Sequence, residues 1–209
     1  MKHLWVIAIF LLGSCSAGNN SLSTNETAKQ ELTQIATVTT SHMINKDKNL
    51  PKETSSDPVL TGIDPERIEI PLLEVDALID GQGLNKKGQM EVPDNGKDVG
   101  WFELGVKPGA RGNAVIAGHV DDYKGPAVFF YLKKLKAGDL VHVYNKAGEK
   151  VSFKVERVVA YEKDEAPIRE IFGPSRDGRL NLITCTGLYD RKSNEHEKRL
   201  VVYTKRIDS

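Results

Sequence analysis

From residue 61 onward, apolar and polar positions alternate over short stretches that turn-forming residues repeatedly interrupt. Arg67 to Asp80, RIEIPLLEVDALID, opens with β-like runs in which Pro71 marks an edge position or a bulge. Gln89 to Val92 suggests another short strand, and Asn113 to Ala117 is an apolar strand ending at Gly118-His119. Asp139 to Asn145 and Val151 to Tyr161 read as a strand pair across the turn Lys146-Ala147-Gly148. In Leu180 to Cys185, Leu180, Leu182 and Thr184 alternate with Asn181, Ile183 and Cys185, which predicts a mostly buried strand broken by Thr186-Gly187. Arg199 to Ile207 is the last strand. Two stretches break the period of two. Pro126 to Leu135, PAVFFYLKKL, predicts a short helix with Pro in its first turn and Gly138 as its stop, and Pro167 to Phe172 predicts a brief helical turn. Many short strands and little helix imply an all-β barrel or sandwich with short helical inserts.

The first 60 residues follow a different pattern. Leu4 to Leu12 is a nine-residue apolar run behind Lys2, followed by small residues. That is the anatomy of a signal peptide, and the run is too short to span a bilayer as a helix. Leu12-Gly13-Ser14-Cys15 resembles a bacterial lipobox, which makes 1–15 a lipoprotein-type signal peptide and Cys15 the lipidated residue. An ordinary signal peptide or an uncleaved anchor is the other reading. Residues 16–60 are rich in Ser, Thr, Asn, Lys and Glu and contain no aromatic residue. They read as a disordered tether with an r.m.s. reach of roughly 35–40 Å. The folded domain is then 61–209, placed outside the cytoplasmic membrane by a lipid anchor.

Charge narrows the partners. The chain carries 29 basic and 29 acidic residues. Such a balance excludes the basic excess of a nucleic-acid-binding protein and a polybasic membrane patch.

With Cys15 assigned to the anchor, Cys185 is an exported thiol without a disulfide partner. Such a thiol is either inert core or a nucleophile. His119 ends an apolar strand after a glycine, where its ring can leave the core and act as general acid and base; alone, it is as well read as a polar turn residue. Arg199 opens a strand 14 residues after Cys185. If the two strands pair, its guanidinium stands near the thiol, where it can stabilise an oxyanion; alone, it is a solvated charge. No metal-ligand spacing is present, so neither metal nor cofactor is expected. His196 lies in the polar stretch Lys192 to Lys198, read as a loop, and is a poor rival to His119.

Taken together, GHVD at 118–121, LITCTG at 182–187 and RLVVY at 199–203 resemble the His, Cys and Arg motifs of sortases, the exported cysteine transpeptidases of Gram-positive bacteria. The likeness runs from about Ile68 to Ile207, and NAVIAGHVD, PAVFFYLKKLKAGD and LITCTGLYD are most similar to class F. A lipobox in place of a membrane helix departs from most members. The resemblance implies an eight-stranded β-barrel with Cys185 as nucleophile, His119 as acid and base, Arg199 as substrate and oxyanion stabiliser, and Thr184 as oxyanion or substrate support. It also implies partners: surface proteins bearing an LPXTG-like sorting signal, and a peptidoglycan or precursor amine as acceptor.

Two alternatives differ in class. An L,D-transpeptidase is also exported and uses cysteine, but its Ser/Thr-x-Gly-Cys-x-Arg pattern is not matched around Cys185. A non-catalytic lipoprotein binding module on the same barrel would have no need of all three residues.

Overall fold

The structure, a computed structural model, describes residues 60–207. The signal peptide over 1–15 with Cys15, and the tether over 16–60 apart from Leu60, lie outside the described residues. Eight strands close into a barrel in the order β1-β2-β3-β4-β9-β10-β8-β7. They are β1 (Arg67–Ile70), β2 (Val75–Gln82), β3 (Val99–Phe102), β4 (Gly112–Ala117), β7 (Leu140–Tyr144), β8 (Lys150–Glu162), β9 (Gly178–Asp190) and β10 (Glu195–Ile207). The pairs β2–β3 and β4–β9 are parallel and the others antiparallel. Two short strands, β5 (Asp121–Asp122) and β6 (Gly125–Pro126), form a separate hairpin after β4. The all-β expectation, including its eight-stranded barrel, is what the structure shows.

Alternation along the strands produces two apolar clusters, one on each face of the sheet. Ile68, Ile70, Ile79, Ala114, Ile116, Val141, Val143, Phe153, Leu180, Leu182, Leu200 and Val202 fill the barrel. Odd-numbered residues of β4, β9 and β10 point the other way. There Val115, Ile183, Val201 and Tyr203 make a second cluster with Phe102, Phe172 and Ile171. Ile171 and Phe172 belong to α1 (Ile168–Phe172), the helical turn expected over 167–172. Burial on two faces explains why β4 is buried at all six positions.

The expected β7–β8 strand pair is present. The Asn145 side chain closes its turn by accepting from the backbone N–H groups of Ala147 and Glu149, and Gly148 takes φ 82°.

Several local readings are corrected. Pro126–Leu135 is not a helix. Pro126 belongs to β6, and only Leu132–Lys134 forms a 3-10 turn. The reason lies in where the backbone donors go. Ala127 donates to Val120, Val128 to Gly96 and Phe129 to His119, and the donors that follow close i to i−3 bonds, Phe130 to Ala127 and Leu132 to Phe129, so no i to i−4 ladder forms. Phe129, Leu132 and Leu135 are still buried, at the spacing of three that a tighter winding presents to the core. Pro71 is neither bulge nor strand edge. It opens a 3-10 turn, Pro71–Leu73, that ends at Glu74 with φ 53° and divides β1 from β2. Gln89–Val92 contributes a single bridge, Met90 to Leu84. The stretch 192–198 is only partly loop, because Glu195 to Lys198 already belong to β10.

Candidate active site

Cys185 sits on β9 directly opposite Arg199 of β10. Directly opposed residues on one face of an antiparallel pair have their Cβ atoms about 4.5–5.5 Å apart. On the other flank of β9, Ala117 of β4 is the register partner of Ile183. His119 stands two residues beyond Ala117, as Cys185 stands two beyond Ile183. Two neighbouring strands thus bring the expected cysteine and arginine together on one face, and the expected histidine follows just past the end of β4 on the other flank. It is the face of the second apolar cluster, so the thiol stands at the end of an apolar floor that includes Ile183 and Val201.

Thr184 has the opposite orientation. It is buried, and its hydroxyl donates to the Gly118 carbonyl at 2.8 Å. Gly118 N–H in turn donates to the Ile183 carbonyl at 3.1 Å. These two bonds tie the residue before His119 to the two residues before Cys185. His119 Nε2 lies 3.0 Å from the Pro93 carbonyl. A carbonyl only accepts, so the bond makes Nε2 the donor and orients the ring. Arg199 Nη1 donates to the carbonyls of His196 and Lys198 at 3.0 and 3.1 Å, and its Nη2 lies 4.0 Å from Glu195.

Burial pushes the Cys185 thiol up from its ordinary range. The Arg199 guanidinium pulls it back, while the Asp121 and Glu195 carboxylates push it further up. The resting thiol is therefore held protonated, and its ionisation depends on nearby positive charge.

The wall beside the floor is fixed by two asparagines. Asn113 Nδ2 donates to the carbonyls of Glu170 and Gly173 at 3.2 and 2.8 Å, and Asn181 Nδ2 donates to Ile171 at 2.7 Å. Both amides leave the outer face of the barrel and hold α1 by its carbonyls. Phe172 of α1 packs edge-on against Phe102, with ring centroids 5.5 Å apart.

The sequence motifs assign no role to Pro93, Asp121, His196, Asn113 or Asn181. Asp121 stood inside the quoted GHVD motif, and that was a signal for it. The carbonyl of Pro93 carries no side-chain signature and is legible only from the fold. Among the described residues, no cluster of three or more His, Cys, Asp or Glu could hold a metal ion.

Comparison with known proteins adds a family model, the sortase domain, which matches residues 68–207. Sortase C1 of Streptococcus suis is similar in structure, at 22% identity and a TM-score of 0.54, over 91% of this chain and 90% of that one. Sortase C1 of Streptococcus agalactiae, in complex with MTSET, is similar at 23% identity and a TM-score of 0.54, over 69% of this chain and 67% of that one. Sortase A of Corynebacterium diphtheriae, as a lid mutant, is similar at 17% identity and a TM-score of 0.55, over 88% of this chain and 95% of that one. At these identities the structural likeness concerns the fold. No curated protein matches the chain.

Proposed function

The chain belongs to the sortase family, and from that premise we propose that it is an extracytoplasmic cysteine transpeptidase acting on LPXTG-like sorting signals. The observation that carries this reading is the direct cross-strand pairing of Cys185 with Arg199, with His119 two residues past the end of β4 on the other flank of β9.

In the proposed reaction, a sorting peptide lies along the outer face of β4, β9 and β10, its apolar side chain against the floor of Ile183 and Val201 and the α1 wall. The Cys185 proton passes to the His119 imidazole. The thiolate attacks the carbonyl carbon of the Thr–Gly bond, and the Arg199 guanidinium hydrogen-bonds the oxygen on which negative charge develops. The C–N bond breaks as His119 returns the proton to the glycine amine, leaving a thioester on Cys185. An incoming amine then attacks the thioester carbonyl, the C–S bond breaks, and the proton shed by the amine restores the thiol. A neutral resting thiol fits this sequence, because the nucleophile forms only when a proton acceptor and a cation are in place around it.

The proposal extends to setting. A peptidoglycan or precursor amine is the acceptor, the class is F, and Cys15 carries the lipid that anchors the enzyme outside the cytoplasmic membrane. The apolar run before Cys15 and the polar tether after it support that placement.

The test is to incubate the protein with an LPXTG-type peptide and an amine such as a short glycine peptide. Ligated product from the parent, absent with Cys185→Ala, is the expected result. Peptide binding that survives Cys185→Ala, with no cleavage or ligation by the parent, would favour the non-catalytic binding module.

A further inference from the structure

His196 lies outside the three motifs yet touches the segments that carry all three motif residues. Its Nε2 lies 3.1 Å from Asp121 Oδ1, two residues past His119. Its Nδ1 lies 3.3 Å from the Gly187 carbonyl, two residues past Cys185. Its own backbone carbonyl accepts from Arg199 Nη1 at 3.0 Å. Tyr189 covers the ring edge-on at 5.2 Å between centroids, and the imidazole side chain is only 12% exposed.

We propose that His196 and Asp121 are positioning residues that hold the nucleophile, acid and arginine segments in one arrangement. The inference rests on the transpeptidase reading of the same site. β4 and β9 are cross-connected up to Gly118 and Thr184. Beyond that point the chains part, one into the β5–β6 hairpin and the other into the β9–β10 hairpin. His119 and Cys185 sit just past the last cross-connection, where nothing in the ladder fixes their spacing. The His196–Asp121 contact rejoins the two hairpins on the far side. The candidate acid and nucleophile are thereby bracketed, by Thr184–Gly118 on one side and His196–Asp121 on the other.

The chemistry of the bridge is specific. Both ring nitrogens face oxygens that only accept, a carboxylate at 3.1 Å and a carbonyl at 3.3 Å; a neutral ring has one N–H and donates to one of them, and only a doubly protonated ring donates to both. Asp121 is also one of the two carboxylates whose charge disfavours the Cys185 thiolate. Its engagement by His196 therefore bears on where the thiol sits and on the charge it meets. Glu195, the other carboxylate, is already paired with Lys163 at 2.9 Å.

The test compares the full chain with its His196→Ala, His196→Gln and Asp121→Asn variants in two assays. One is the pH profile of iodoacetamide reaction at Cys185, read from the mass of the Cys185-containing peptide so that Cys15 does not contribute. The other is steady-state transfer of a sorting peptide to an amine. Asp121→Asn keeps an acceptor for the imidazole but removes the charge, so the alkylation profile moves to lower pH. His196→Ala lowers kcat about tenfold or more with KM within about twofold, the signature of lost alignment rather than lost binding. His196→Gln retains a donor for Asp121 and recovers a large part of that loss. Parent-like kcat in His196→Ala, or equal loss in the Ala and Gln variants, overturns the proposal. If the parent transfers no peptide at all, the transpeptidase reading fails. The alkylation arm then decides the inference alone, and an unchanged profile in Asp121→Asn overturns it.

Discussion

At the scale of the residue, the chemistry turns on what surrounds one thiol. Burial and two carboxylates hold Cys185 protonated, and Arg199 is the cation that opposes them. Removing the guanidinium leaves the unfavourable influences in place. Arg199→Ala is therefore expected to move the alkylation profile of Cys185 to higher pH, with slower reaction at pH 7 than in the parent. A profile unchanged by that substitution would mean the guanidinium does not reach the thiol electrostatically. Cys185, His119 and Arg199 were legible because their types are chemically distinctive and each adjoins an apolar strand run, although β9 continues past Cys185 to Asp190 and β10 begins at Glu195, before Arg199. His196 was not legible in its supporting role, for a physical reason. Strand alternation from Arg199 places position 196 on the opposite face, but the register of β10 on β9 slips between His196 and Lys198. A bulge re-aims side chains in a way that a period of two cannot anticipate.

At the scale of the element, polar side chains fasten pieces that the ladder alone does not hold. The Thr184 hydroxyl fastens β9 to Gly118. Thr184→Val keeps the shape and removes the donor, leaving a buried carbonyl without its partner. The expected cost is about 1–3 kcal/mol, read from denaturant unfolding, with transfer activity falling as well because the tie lies beside Cys185. Full stability in that variant would show that the carbonyl finds another donor. Asn181 does the same for α1 from within the buried outer face, through the carbonyl of Ile171. A five-residue helix has little stability of its own and holds its place through such contacts. The strands were readable from alternation, and the helical turn at 167–172 from its proline and apolar spacing. Pro126–Leu135 misled because its apolar positions suit a helix, while its first backbone donors are taken by Val120, Gly96 and His119. Those acceptors come from other parts of the chain, and nothing in the local sequence announces them.

At the scale of the whole molecule, barrel closure places the site. β4 and β10 flank β9, although they are far from each other in sequence, so residues 119, 185 and 199 converge only once the barrel forms. Leu182 lies at the centre of that arrangement, fully buried between the Ile116 and Val202 register partners. Leu182→Ala is expected to cost about 2–5 kcal/mol in unfolding free energy, as cavity-forming core substitutions do. The seam between β1 and β7 adds a pH dependence. Burial, with Lys150 adding to it, lowers the His142 imidazole from its ordinary range. The unfolded chain takes up this proton at higher pH than the folded one, so the contribution is present above the ordinary histidine value of about 6.5 and is lost as pH falls below it. His142→Gln should therefore lose less Tm than the parent between pH 7.5 and pH 5.5, and an equal loss in both would place the acid sensitivity elsewhere.

The measurement that bears most directly on the central claim is the intact mass of the protein after mixing with a sorting peptide in the absence of amine, quenched in acid. The expected result is a species heavier by the acyl fragment, mapped to Cys185, that disappears on addition of amine as ligated peptide forms. An unmodified protein across a panel of sorting peptides, or an adduct that persists in Cys185→Ala, would contradict it.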